Sequence, residues 1–354
     1  MEANIEIAQS LFKQNKHEET IDTCHAILTT DANSIEATKL IAKSFLATRK
    51  IEDARLYLNK ALTLKPDDFE SIKDLGNSYQ AVGDSNTAKD FYLKAITINS
   101  YYAPALTNLG TIELSKGNKK EALSFLIKAT ESDPQLAPAW SNLGNAYIQL
   151  GKIQEAENSC RKAIELNPNL FNSHYVFAKL LMGQKKLKEA EISFRKAIEL
   201  KPDFVNAHLN LGVVLNELGQ LKEAEISIRK SIELNPNLFN SHFLLGTILM
   251  GQKKIQEAEV SLRKSIELNP NLFNSHYLLG KILIGQKRLK EAEQPLRKTI
   301  ELNPDFFEAY SVLGGLLGEF GNPQEAEIHT RKAIELKPNI AKAHSNLGNI
   351  LKDL

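Results

Sequence analysis

Thirty-four residues separate Pro168 from Pro202, and the same step leads on to Pro236, Pro270, Pro304 and Pro338 and back to Pro134, Ser100 and Pro66. A period of that length leaves few folds open. Each copy is one supersecondary unit, too small to bury a core alone, and copies gain stability by stacking their apolar sides into a continuous seam. The best-formed copy is Ala137–Pro168, APAWSNLGNAYIQLGKIQEAENSCRKAIELNP, and the rest of the chain reads as worn versions of it.

That copy reads as two helices with a turn between. Trp140, Leu143, Gly144 and Tyr147 fall at i, i+3, i+4 and i+7, which puts them on one face of a 3.6-period helix. Gly151 breaks the pattern. Ala156, Cys160, Ala163 and Ile164 then recur at helical spacing until Pro168, which lacks an N–H and restricts the residue before it. The small residues Gly144 and Ala156 let the two helix axes approach closely.

With Trp140, Leu143, Gly144, Tyr147, Ala156, Ala163 and Pro168 in place at a 34-residue period, the pattern resembles the tetratricopeptide repeat. The resemblance implies an all-α, right-handed superhelical solenoid of stacked antiparallel helix hairpins. It also implies that the first helices line a concave surface that holds extended peptides. Units are expected to start at residues 1, 35, 69, 103, 137, 171, 205, 239, 273 and 307, with a single last helix over 341–354. Since a solenoid grows by repetition, the 354 residues are read as one domain. Units one and two are the most worn, with Thr20 where later units have alanine and Ala8 and Ala42 where they have glycine.

Composition narrows function by exclusion. The formal net charge is +1, so no global field favours nucleic acid or an anionic membrane. The N-terminal MEANIEIAQSLFKQNK lacks the bases and apolar run of a secretory signal, and no stretch approaches a membrane span, which points to a cytoplasmic protein. Cys24 and Cys160 hold the same place in units one and five and read as buried fillers too far apart for a disulfide. No phosphate-binding glycine loop, HExxH or C-x-x-C pair occurs, so neither enzyme activity nor a cofactor is expected. His174, His208, His242, His276 and His344 recur at the place of Trp140. Successive ones stand about 10 Å apart if helices pack at ordinary distances, too far to share a metal, so packed, hydrogen-bonded histidines are expected.

Charged residues mostly describe a wet outer face. Glu157 and Arg161, and the equivalent pairs through Glu327 and Arg331, are spaced i,i+4 on the second helices and contribute roughly 0.2 to 0.5 kcal/mol each. The basic turns at Lys185-Lys186, Lys253-Lys254 and Lys287-Arg288 are followed at once by Glu189, Glu257 and Glu291, which argues for solvated turns over a nucleic-acid surface. Pro295, inside a second helix, predicts a local irregularity. Pro323, behind Asn322, predicts a favourable helix start.

The first helices carry the binding expectation. Opposite the buried face, unit five presents Pro138, Asn142, Asn145 and Gln149, a polar surface. Units six, eight and nine are near copies of one another and place Tyr175, Val176 and Met182, then Phe243, Leu244 and Met250, then Tyr277, Leu278 and Ile284 on that side. Nine large apolar groups on a face expected to be wet mark a partner-binding groove, unless superhelical curvature or self-association buries these first helices on both sides. Asn108, Asn142, Asn210 and Asn346 occupy a place that resembles the asparagine ladder in the repeat region of O-linked N-acetylglucosamine transferases, and the resemblance implies amides that grip a peptide backbone. Val176, Leu244, Leu278 and Val312 interrupt the ladder. Lys73, Asn77 and Asn108 resemble three of the five places of a chaperone-type clamp for C-terminal carboxylates, but Pro138 and Asn142 stand where that clamp has cations.

The sequence therefore predicts a non-catalytic scaffold whose partner is a protein or peptide segment with apolar anchors. The alternative is the N-terminal recognition arm of a larger enzyme, such as a glycosyltransferase, whose catalytic domain lies outside this chain.

Overall fold

A computed structural model describes residues 4–339 and 341–354, with the backbone alone for Asp353. Met1, the expected start of the first unit, lies outside the described residues. Among these residues the chain forms 21 helices and no strand, in antiparallel hairpins. First helices begin at Ile35, Phe69, Ala103, Ala137, Phe171, Val205, Phe239, Phe273, Phe307 and Ala341, one period apart. Each second helix has 14 residues, as in Ile153–Leu166 and Leu289–Leu302.

Two kinds of turn produce this regularity. Between hairpins, where Asn or Asp precedes the proline it folds an Asx turn: Asn167 Oδ1 accepts from the Asn169 amide at 3.0 Å, and Asp133, Asn235 and Asn269 act alike. Within hairpins, one residue adopts the left-handed conformation that ends the first helix. Gly151 does so at φ 71°, whereas units six, eight and nine use Lys185, Lys253 and Lys287 at φ 60–63°. A lysine there has a Cβ penalty of about 1 kcal/mol that glycine avoids.

The packing divides the chain into two compact units, Met1–Leu180 and Leu181–Leu354. In the first, Ile41, Leu58, Ile72, Tyr92, Leu109, Leu126 and Leu143 fill the space between hairpins. In the second, Leu279, Leu283, Leu296, Leu313, Leu317 and Ile350 do the same. Hairpins close because the first helix carries glycine at the contact. A Cβ on Gly144 would stand 2.7 Å from Cys160 Sγ, and one on Gly280 would stand 2.8 Å from Leu296 Cγ. Cys24 and Cys160 are free, buried thiols, and burial raises them to about 11 and about 12.

The histidine series has a uniform role. Nε2 of His174, His208, His242, His276 and His344 lies 2.7–2.9 Å from the carbonyl oxygen of Pro168, Pro202, Pro236, Pro270 and Pro338. Trp140 Nε1–H donates to Pro134 O in the same way at 3.0 Å. A carbonyl only accepts, so Nε2 carries the proton in each case.

On the outer face the pairs from Glu157–Arg161 to Glu327–Arg331 all form. Further bridges tie neighbouring repeats: Arg229 to Glu257, Lys254 to Glu225, Arg288 to Glu259 and Arg297 to Glu325, at 2.6–2.7 Å. Burial pushes the Glu225 carboxyl up, but hydrogen bonds from Lys254, Arg229 and Gln252 outweigh it and hold the group at about 2. Two of the basic-turn cations, Lys254 and Arg288, are thus staples between repeats.

The expectation for Pro295 needs correction. The helix Leu289–Leu302 runs unbroken through it, with Pro295 buried and its carbonyl accepting from Thr299 Oγ1 at 2.9 Å. Burial of Pro295 with Ala292, Leu296 and Thr299 holds the helix together where its own ladder lacks a donor. Pro323 opens its helix behind Asn322, whose side chain accepts from the Glu325 amide.

Candidate functional site

The face presented by the first helices is less open than helical periodicity suggests. In Ala137–Gln149 not only Leu143 and Gly144 but also Ala139, Ser141 and Ala146 are buried, because a first helix packs against its own hairpin partner and against neighbouring hairpins. The nine apolar residues follow suit. Val176 is 3% exposed, which corrects its reading as a wet residue. Tyr175, Met182, Phe243, Leu244, Met250, Tyr277, Leu278 and Ile284 are half-buried. Tyr277 and Ile284 pack on the core around Leu279, Leu283 and Leu313, and the Tyr277 ring meets Phe306 edge-on at 4.9 Å. Lys179 and Lys281 place their ammonium groups 5.8 and 5.5 Å from the Tyr175 and Tyr277 rings, cation–π contacts that also cover part of each aromatic. Burial lowers the Lys179 pKa, and its Nζ donates to Asn145 Oδ1 at 3.2 Å.

The asparagines form bridges within the stack. Asn108 Nδ2 donates to Asn77 Oδ1, and Asn142 Nδ2 to Thr111 Oγ1, both at 2.9 Å. The place three residues further along the preceding first helix thus receives the amide. Asn210 is also engaged. Asn346 differs, because Gly315 stands where a receiving side chain would be. Its Nδ2 reaches only Ser311 O, at 3.5 Å.

Next to Asn346 the second unit has a cavity of about 380 Å³, lined by Ile284, Val312, Leu316 and Ile350 with Asn346, Asn349, Lys342 and Glu319. Gly315 and Gly318 make the room, since a Cβ on Gly315 would lie 3.0 Å from Asn346 Nδ2. It is here that one of the apolar residues, Ile284, and one of the ladder asparagines, Asn346, line one space.

The clamp-like residues are brought together but turned inward. Asp74, which stands one period before Asn108 and is 3% exposed, holds the Lys73 ammonium. Asn77 Nδ2 donates to the same carboxylate at 3.0 Å, while Asn77 Oδ1 accepts from Tyr92 and Asn108. A carboxylate ligand would meet a cation already neutralised by an internal one. Titration with a peptide ending in an acidic tail is therefore expected to give no micromolar binding, and Asp74→Asn is expected to strengthen whatever weak binding there is. Affinity of about −8 kcal/mol that disappears in Lys73→Ala would refute this.

Sequence reasoning missed two charged groups in core places. Asp74 is one. Glu113 is the other: its side chain is fully buried where other repeats carry leucine, tyrosine or phenylalanine, with Lys89 Nζ 2.7 Å and Asn118 Nδ2 2.7 Å from its oxygens. The signal was there for Glu113, which stands one 34-residue period before Tyr147 of the buried face.

Stacked hairpins of this kind, with hydrogen-bonded turns and contiguous first-helix faces, define a repeat scaffold for protein interaction, and no helix among the described residues is long and apolar enough to cross a membrane. The chain belongs to the tetratricopeptide repeat family. The family model described as the cilia and flagella-associated protein 70 C-terminal domain matches residues 6–271, and the tetratricopeptide repeat model matches 273–306 and 307–340. No curated protein matches the chain. Among solved structures, PilF of Pseudomonas aeruginosa is similar with a TM-score of 0.54 and 21% identity, over 59% of this chain and 95% of that one. The Cut9–Hcn1 hetero-tetramer of the APC/C matches with a TM-score of 0.51 and 14% identity over 97% and 95%. At those identities the likeness shows the fold.

Proposed function

We propose that this protein is a non-catalytic, cytoplasmic scaffold that holds a segment of a partner protein on its first-helix face, with apolar anchors as the main source of affinity. The observation that carries the reading is the cavity of about 380 Å³ in which Ile284, Val312 and Leu316 lie beside Asn346 and Asn349. An apolar floor with a few amides is the composition of a site that buries a side chain and orients a backbone. Phe243, Leu244, Met250, Tyr277 and Leu278 extend the apolar surface along the first helices of units eight and nine, and Met182 supplies a further anchor in the same compact unit. Buried Val176 supports its neighbours from beneath. Asn108 and Asn142 keep the adjoining first helices of the first compact unit in register.

Selection of a random peptide library on the immobilised protein tests this. Selected peptides are expected to carry large apolar residues, and Ile284→Ala and Phe243→Ala are each expected to weaken them by about 1 to 3 kcal/mol. Asn346→Ala leaves the core untouched and is expected to melt near the parent, whereas Ile284→Ala trims a side chain packed on the core and is expected to melt lower, so binding is compared at a temperature where both are folded. Peptides that bind the Ile284→Ala, Phe243→Ala and Asn346→Ala proteins as well as the parent would show that recognition lies elsewhere.

A further inference from the structure

The junction between units nine and ten departs from its counterparts at two places. His329 stands where units five to nine carry Ser159, Ser193, Ser227, Ser261 and Pro295, and Tyr310 stands where His208, His242 and His276 bond proline carbonyls. The His329 side chain is 16% exposed and lies against the Tyr310 ring, with centroids 5.8 Å apart. Its Nε2 is 3.6 Å from Glu325 Oε1, too far for a hydrogen bond, and its Nδ1 is buried without a partner among the described residues. The same Glu325 oxygen takes the Arg297 guanidinium at 2.6 Å, the bridge that ties the helix Pro323–Leu336 to the helix Leu289–Leu302. The charged and titratable groups around the imidazole are thus Arg297 from the preceding unit, Tyr310 from the helix Phe307–Glu319, and Glu325 one turn back on its own helix.

We propose that His329 is an acid-sensitive latch on this junction: neutral, it packs as an uncharged plug beside the Arg297–Glu325 bridge, and protonated, it sets a second cation against the one carboxylate and loosens unit ten from unit nine. An imidazole this far from water loses hydration when it takes a charge, and Arg297 repels that charge. Glu325, already engaged by Arg297, offsets only part of this. Burial, with Arg297, accordingly holds the His329 pKa below its ordinary value. A depressed histidine pKa means that the stabilisation is complete above the unfolded value, near about 6.5, and is lost as pH falls through the folded one. The cavity of about 380 Å³ spans this junction, with Ile284 from unit nine and Val312 and Leu316 from unit ten. Release of the latch therefore parts the walls of the peptide site, a consequence that rests on that cavity being where the partner binds.

Hydrogen exchange of the full chain at about pH 7.5 and about pH 5.5, corrected for the intrinsic rate, tests this beside an NMR titration of the imidazole Cε1–H signals. Carboxylates stay ionised across that range, so the histidines are what titrates. Opening of the helix Pro323–Leu336 is expected to rise at least about threefold on acidification, and the His329 signal to titrate below about 6.5. His329→Ser, which restores the residue type of units five to eight, is expected to fold as the parent does and to lose most of that rise, which separates the latch from the other histidines. Library-selected peptides free of histidine are expected to bind the parent at least about threefold more weakly at the lower pH and to hold their affinity for His329→Ser. An equal rise in His329→Ser, or a His329 signal that titrates at or above about 6.5, would overturn the latch. Exchange that rises while the peptides keep their affinity would overturn its control of the cavity. The exchange and NMR measurements use no peptide, so failure of the latch is distinct from failure of the peptide site.

Discussion

Pro295→Ser is expected to stabilise the unit from Leu181 to Leu354 by about 2 kcal/mol. The neighbours define the comparison: Ser159, Ser227 and Ser261 stand at the same place, and Ser159 and Ser261 bond back to the Glu155 and Glu257 carbonyls at 2.8 and 3.0 Å. Proline there removes the amide that would bond to the Glu291 carbonyl, and an interior helical proline costs about 3 kcal/mol. Part of that is offset because proline also restricts the unfolded chain, by up to about 1 kcal/mol. Serine occupies a smaller volume than the buried pyrrolidine, yet the equivalent places show that the packing accepts it. The measurement is denaturant unfolding with an unchanged m value, together with slower hydrogen exchange over residues 291–302. A variant of equal or lower stability would mean that Pro295 contributes more through packing than it removes from the helix.

Lys89→Met is expected to destabilise the unit from Met1 to Leu180 by about 3 kcal/mol at neutral pH, because it strands the Glu113 carboxylate with Asn118 as its remaining partner. The pH dependence gives the sharper test. In the parent, burial pushes the Glu113 carboxyl up, but the bonds from Lys89 and Asn118 outweigh it and hold the group below its ordinary value. A depressed folded pKa means that the stabilisation is complete above the unfolded value, near about 4.3, and is lost as pH falls through the folded one. Without Lys89, burial alone raises the folded pKa. Stability of the variant is then full below the unfolded value and falls as pH rises through the raised one. Unfolding midpoints of parent and variant should therefore converge as pH drops. Parallel profiles would remove Glu113 as the cause. The double variant Lys89→Met/Glu113→Leu is expected to be near neutral, since a buried ion pair is often replaceable by packed apolar groups.

Much of this architecture is legible in the sequence. The 34-residue step implies hairpins, and the structure starts its first helices one step apart from Ile35 to Ala341. The i,i+4 ion pairs form because one helix axis governs their geometry, and the histidines settle on proline carbonyls because six residues and one turn separate them. These are local relations, and 3.6 residues per turn is enough to derive them. What one axis does not give is which side of a helix the next repeat covers. Val176 and Asn142 fall at the same angle on their helices, yet one is buried and the other bonds Thr111 from the preceding repeat. Asp74 stands at the angle of Asn142 as well, yet it is buried with the Lys73 ammonium beside it. The cavity between Ile284 and Asn346 and the meeting of His329 with Arg297 likewise depend on groups 30 or more residues apart. Burial is a property of stacked neighbours, and only the tertiary structure decides it.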